Sequence, residues 1–558
     1  MRILFIQLPD QDPSGEAARD NVPLAGARLG AYAEARGLLV RDDYALLIQD
    51  IADFGGDAAV CAAILDAEPD LALFHLQPWN MDRSLWIARR LRVLLPGTHI
   101  AAFGPETAQG ASLLKEQAFD AIIEGEPEDS FLELIADATA RAIKPRYVSE
   151  RPVELTAIPD PYLTGIIPVV PSKPVVFELG RGRRDPCPYR YEPWPAGLVR
   201  LAPRDLAPTV LRFASDRDAA GFTIVGGPLL ADPERITFIK ALAAANDSGL
   251  PIKAEIDVQT TGDEVSRLWA DAALAVADAP LPSVNPAALE ALGMKLDRDA
   301  YERGVQSLWS QGISVKPGLI LGLPQDSYET VIDGFDFLGM VGIGQDAELS
   351  PLAILPGTEL RARSQDFGIR EFLERPPYWT VETDWMNEDD FLDAVADFEE
   401  SFDVAWGTPV APDFRPTRGG HVSFVDLREP GSLDAFLVSP EKMASSITLL
   451  LDADNPERSA RVARAARDLR KENPYCLWQI VLHSDNTIPG DGMISRLTDA
   501  FSMPEHYFEL GRLYSLDPQP TFQTRLFFST RSEALAHRAL REYQGLETVL
   551  VLGDALPG

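Results

Sequence analysis

The chain has 558 residues, too many for one hydrophobic core, so three or four domains are expected. Apolar residues make up 46% and charged residues 24%, and no apolar run reaches membrane-spanning length, which excludes a membrane span from the expectations. A formal net charge of −34 disfavours nucleic acid as a partner, because a polyanion would be repelled.

The opening stretch MRILFIQLPDQDPSGE has a short apolar run that soon turns polar. It lacks a signal-peptide cleavage region and reads as a first strand, so a cytoplasmic location is expected. PLAGARLGAYAEARG then has helical spacing and stops at Gly37. LALFHL, HIAAFG and AIIEG read as buried strands, with SLWIARRLRVLL and DSFLELIADATARA as helices. This alternation over residues 1–145 implies a doubly wound parallel sheet, whose ligands sit beyond the carboxyl ends of the strands. Those ends carry Pro9, then Gln77, Pro78 and Trp79, then Gly104, Pro105 and Glu106, then Glu124, Gly125 and Glu126. Residues 146–174 are Pro-rich and read as an extended linker.

A second alternating region covers residues 175–400, with strand candidates VVFELG, FTIVGG, IKAEID, LAVADA, VKPGLILG and AELSPLAIL. Six βα repeats suggest a partial (βα)6 TIM barrel with any active site at the strand C-termini. Residues 360–420 read as irregular, with Pro376–Trp379 as packing beneath the barrel. Residues 401–558 read as a small C-terminal α/β or α+β domain of unknown role, with strands such as ITLLLDAD, CLWQIVLHS and TRLFFST.

Cys61, Cys187 and Cys476 lie far apart with no C-x-x-C pair, and the six histidines form no H-x3–5-H pair. Neither a disulfide framework nor a structural zinc ribbon is expected. His75 sits inside LALFHLQPW and reads as a buried structural histidine rather than a metal ligand.

Several stretches carry a resemblance to a known family. PLAGARLGAYAEARG resembles a P-x-G-x-x-x-L-A-x-x-L-x-x-x-G helix, and FDAIIEGEPEDSFLELI a D-x-V-x-G-E-G-E-x-x-x-x-E-L ending. GLILGLPQDSYET resembles a G-x-I-x-G-L-P-G-E-T barrel strand. PLAILPGTELRARSQDFGI and RPPYWTVETDWMNEDDF resemble P-G-T and P-P-Y segments. Together, in this order over about residues 1–400, they resemble the radical SAM proteins with a cobalamin-binding domain, in the subgroup with an extra C-terminal domain. The resemblance implies a Rossmann-like cobalamin-binding domain followed by the barrel.

That family's chemistry needs a C-x3-C-x2-C loop after the first barrel strand, where three thiolates hold a 4Fe–4S cluster and leave one iron open for SAM. Here CPYRYEPW places Cys187, Tyr191 and Trp194 in those positions. Indole N–H only donates, and phenolate is a hard ligand with a pKa near about 10. The G-G-E end of the second barrel strand, which in the family meets SAM, reads Gly226, Gly227, Pro228. Glu255, Asp257 and Gln259 on the next strand are the remaining polar candidates for the former SAM site, although strand alternation explains them equally. The expectation is therefore a cobalamin-binding protein without the cluster and without SAM, with no metal site read from the residues and no catalytic residue assigned.

The strand ends of the first domain are the implied cobalamin contacts. Arg181, Arg183 and Arg184 put positive charge in place of the cluster or beside an anion, or form a solvated turn. Three functions remain open: a cobalamin-dependent non-radical enzyme of methyl transfer or redox type; a pseudoenzyme or scaffold presenting cobalamin or substrate to an active partner enzyme; and an active radical SAM methyltransferase with an atypical cluster site. The substrate, a small molecule or peptide, is not legible.

Overall fold

The computed structural model describes the chain except residues 12–15, 110, 185, 227–233, 405–410, 430, 503–505, 517–522, 544–549 and 554–558. Its strands form three six-stranded sheets in chain order, plus two small two-stranded ribbons.

In the first sheet the strands lie in the order Tyr44–Leu46, Ile3–Ile6, Leu71–His75, His99–Phe103, Ala121–Glu124, Arg146–Val148, all parallel. Both faces are covered, and the twofold alternation along each strand divides its side chains between two cores. Ile3, Phe5, Leu71 and Leu73 enter one, and Leu4, Ile6, Ala72 and Phe74 the other. Helix Leu24–Ala35 presses close to the sheet, since a Cβ on Gly26 would come within 2.9 Å of Phe5 Cβ. The outer strands Tyr44–Leu46 and Arg146–Val148 were not anticipated, and the second falls at the start of the supposed linker. Three residues are too few to show periodicity, and pairing with a formed neighbour makes them strands.

The second sheet runs Pro174–Glu178, Gly221–Val225, Ile252–Glu255, Leu274–Pro280, Ser314–Leu321, Glu348–Pro351 in spatial as in chain order, all parallel. Its first and last strands do not pair, so it is the open, partial barrel that the repeats suggested. Residues 360–420 differ from the irregular region expected. They hold a hairpin, Ile369–Phe372 with Thr380–Thr383, and the helix Glu388–Phe402. Asn387 caps that helix by accepting from the N–H groups of Asp389 and Asp390, and Phe391, Val395, Phe398 and Phe402 are buried along one face.

The third sheet contains Thr417–Arg418, His421–Asp426, Met443–Asp452, Leu477–His483, Thr524–Ser529 and Leu550–Gly553. The first pair is antiparallel and the other pairings are parallel. This domain docks on the first one. Gly56 N–H donates to Met443 O at 2.8 Å, and Asn473 Oδ1 accepts from Ala58 N–H at 3.0 Å. Among the described residues no helix is long and apolar enough to cross a membrane.

Candidate functional site

The carboxyl ends of the first two sheets open on one crevice, where both architectures place their ligands. Its cavity has a volume of about 1050 Å3. His75, Phe103, Gly104, Pro105 and Gly125 form the wall on the first-domain side. Glu178, Gly226, Glu255, Asp257 and Gln259 face it from the barrel, and the loop from Gly180 to Pro193 lies across it.

The first-domain wall is built by close backbone contacts. Gly104 has φ +113°, and a Cβ there would lie 2.5 Å from Leu76 O. The tight approach of these two loops therefore needs glycine at position 104. Gly125 has φ +77°, and a Cβ on it would meet only Pro193, at 3.6 Å, so bare backbone faces the cavity there.

His75 stacks on Phe103 with ring centroids 4.8 Å apart. Its Nδ1 lies 2.9 Å from Gln7 Oε1 and its Nε2 lies 3.3 Å from Gln77 Nε2. Burial pushes the imidazole down from 6.5 to about 4, so it is neutral at pH 7. The unfolded chain takes up this proton near 6.5 and the folded chain only near 4. The neutral ring thus costs nothing above pH 6.5, and stability is lost as the pH falls through that window. A His75→Gln variant is expected to lose less stability between those two pH values than the parent chain, as read by denaturant titration at each pH.

Ion pairs fix the base of the barrel loop. Arg28 Nη1 lies 3.0 Å and Arg181 Nε 2.7 Å from the Glu178 carboxylate, and Arg181 Nη2 reaches Glu128 at 2.8 Å. Burial pushes Glu178 up, but Arg28 and Arg181 outweigh it and hold the carboxyl below its usual range. Beside this, Arg200 pairs with Glu126 and donates to Val153 O at 2.7 Å, while Val153 N–H donates to Glu126 at 3.1 Å. Arg181 and Glu126, both read as ligand contacts or free charge, are therefore engaged in joining the first domain to the barrel. Arg28, Glu128 and Arg200 were missed: each is a single charged residue without a local pattern, paired across long sequence distances.

On the loop itself Cys187 and Tyr191 are half-buried. Tyr191 lines the cavity and packs against the P-G-T glycine, since a Cβ on Gly357 would come within 2.8 Å of the Tyr191 ring. Trp194 lies off the cavity, and its indole N–H is buried without a hydrogen-bond partner. Cys61 and Cys476 are buried in the first and third domains, and burial pushes both thiols up, Cys61 to about 12. Among the described residues no group of three His, Cys, Asp or Glu side chains is arranged to hold a metal ion.

Gly104, Pro105, Gly125, Glu126, Tyr191, Gly226 and Glu255 meet at the crevice. Burial raises Glu255, and Arg190 and Arg183 oppose that shift. Pro9, Gln77, Pro78, Trp79, Glu106, Glu124, Cys187 and Trp194 do not line it. Glu124 instead pairs with Arg146 at 2.6 Å. Glu106 is buried and accepts from the Tyr378 hydroxyl at 2.5 Å. The Pro376–Trp379 segment, expected beneath the barrel, thus holds a loop at the ligand-facing end of the first sheet. Gly227 and Pro228 lie outside the described residues. Gly226 has φ +81°, and a Cβ on it would fall 2.1 Å from Gly180 O, so the first two barrel strands meet tightly where they enter the crevice.

No protein-family model matches the chain. It is 24% identical over 362 residues to the cobalamin-dependent radical SAM methyltransferase TokK of Streptomyces tokunonensis, a match covering 55% of this chain and 51% of TokK. It is 23% identical over 392 residues to the 2-(S-pantetheinyl)-carbapenam-3-carboxylate methyltransferase of Streptantibioticus cattleyicolor, covering 61% and 57% of the two chains. The chain thus spans about half the length of the curated relatives it matches. Among solved structures, the radical S-adenosylmethionine methyltransferase TsrM of Kitasatospora setae, with cobalamin and a [4Fe-4S] cluster bound, superposes with a TM-score of 0.52 at 13% identity, covering 66% of this chain and 79% of that one. The cobalamin-dependent S-adenosylmethionine radical enzyme OxsB, with aqua-cobalamin and S-adenosylmethionine bound, gives 0.57 at 11% identity over 71% and 66%. These superpositions show a shared fold.

Proposed function

We propose that this chain, a relative of the cobalamin-dependent radical SAM methyltransferases, binds a corrinoid between its first domain and its barrel and works there without an iron–sulfur cluster, as a non-radical enzyme of the methyl-transfer or redox type. The observation that carries this is the placement of the thiols. Cys187 alone stands on the loop after the first barrel strand, while Cys61 and Cys476 are buried in the cores of other domains. A site-differentiated cluster needs three thiolates on one loop, and this donor set does not fit it.

The crevice does fit a large planar cofactor. It is as large as the upper range of ligand cavities, and bare backbone at Gly125 adjoins the His75–Phe103 stack on its first-domain wall. Bound there, a corrinoid would supply a metal-centred nucleophile able to carry a methyl group. The residues of the chain act around it. His75 is kept neutral between Gln7 and Gln77, stacks on Phe103 and fixes the shape of the wall. The Glu178–Arg181–Glu128 and Glu126–Arg200 pairs hold the barrel end at a set distance from the first domain.

Metal analysis of the full chain after anaerobic incubation with hydroxocobalamin, iron and sulfide tests the proposal. About one cobalt and little iron per chain is the expected result. Roughly four irons per chain would overturn the cluster-free reading, and no retained cobalt would overturn the corrinoid reading.

A further inference from the structure

The loop that carries Cys187 also carries Arg181, Arg183, Arg184 and Arg190, and they are not equivalent. Arg181 is bound to Glu178 and Glu128. Arg190 lies over the Tyr189 ring at 5.9 Å. Arg183 lines the crevice, yet its Nε and Nη1 are sealed from solvent and have no hydrogen-bond partner among the described residues. Arginine does not shed its charge. Two buried N–H groups on a permanent cation, with no acceptor, are costly to keep unless an acceptor arrives.

The surroundings indicate what that acceptor is. Arg190 and Lys295 also line the cavity, so cationic groups from two separate segments of the barrel meet there, together with the carboxylates of Glu192, Glu255 and Asp257. The carboxylates nearby do not supply the missing acceptor. Glu192 and Glu255 feel both Arg183 and Arg190, but burial outweighs the attraction and keeps each carboxyl above its usual range. A planar guanidinium, with a second one acting on the same two carboxyl groups, matches a compact oxyanion, carboxylate or phosphate, better than it matches a neutral group.

We propose that Arg183, assisted by Arg190, binds the carboxylate or phosphate group of an anionic substrate at the end of the first barrel strand. This rests on the reading that the loop holds no cluster, and it adds the chemical class of the substrate. Arg183 and Arg190 are then positioning groups for the molecule that faces the corrinoid.

Calorimetric titration of the full chain, loaded with hydroxocobalamin, with inorganic phosphate and separately with acetate tests this. At least one anion is expected to bind, and its affinity should fall about tenfold or more in Arg183→Gln, the loss of a charge-assisted hydrogen bond. Arg183→Lys, which keeps the charge, should lose less, and Arg190→Gln should weaken binding by a smaller factor. Preference for phosphate or for acetate assigns the oxyanion. Binding of neither anion to the parent chain, or equal affinities in parent and Arg183→Gln, overturns the proposal. The corrin absorbance and iron content of the same samples report on the functional reading separately, so failure of either is distinguishable from failure of the other.

Discussion

Replacing Asp57 by alanine is expected to destabilise the chain by about 3–5 kcal/mol, the usual cost of leaving one partner of a buried ion pair alone. Asp57 is fully buried, and Arg83 is 2% exposed. Arg83 Nε lies 2.7 Å from Asp57 Oδ1, and Arg83 Nη2 donates to Gly55 O at 2.7 Å. The other oxygen of Asp57 accepts from Tyr475 N–H, also at 2.7 Å. One carboxylate therefore closes the first domain's own helix–helix contact and docks the third domain on it. Removing it strands the Arg83 charge and leaves a Tyr475 amide without an acceptor. Exposed pairs at the same interface, such as Arg90 with Glu472 at 2.8 Å, should each contribute about 1 kcal/mol or less. Urea unfolding followed by circular dichroism reads the loss of stability, and hydrogen exchange of the Leu477–His483 strand reads the third domain by itself. The third domain should unfold earlier in Asp57→Ala than in the parent. A change below about 1 kcal/mol would mean that apolar contacts alone hold the interface.

This interface shows why sequence reading stops where it does. Asp57 and Tyr475 are 418 positions apart, and neither stands in a pattern that announces the other. The sheets were legible because runs such as Leu71–His75, apolar almost throughout, and Ser314–Leu321, buried at alternate residues, are followed within three residues by proline or glycine. Three-residue edge strands and the hairpin at Ile369–Thr383 were not, because neighbours impose them. At the crevice, Gly104, Gly125 and Gly226 all have positive φ and line the cavity. Glu106, Glu124 and Glu126 stand at strand ends, as ligand contacts would, but Tyr378, Arg146 and Arg200 take them as structural partners. A sequence reports that a charge is near a site; only the fold reports whether the charge is already taken.

The loop around Cys187 offers the second large effect. Converting Tyr191 and Trp194 together to cysteine is expected to change iron uptake from little to about four per chain after anaerobic reconstitution, because it restores three thiolates in C-x3-C-x2-C spacing. Both replaced side chains are half-buried, as Cys187 is, so the smaller thiols fit in their places. The Trp194 indole N–H has no hydrogen-bond partner to lose, and the Tyr191 ring leaves room above Gly357. The loop's base should hold its shape, since Arg181 remains tied to Glu178 and Glu128, and Gly180–Arg181 pairs with Arg200–Leu201. Arg183 and Arg190 would then face a negatively charged cluster, so the double variant should also lose affinity for phosphate or acetate. Each single variant, with two thiolates, should stay close to the parent in iron content. Equal iron in the parent and the double variant would carry one of two meanings. If both are high, the parent already holds a cluster and the cluster-free reading fails. If both are low, the backbone of the loop has diverged along with its ligands, and Arg181, Arg183 and Arg184 before Cys187 are then as much a part of the present site as the crevice they border.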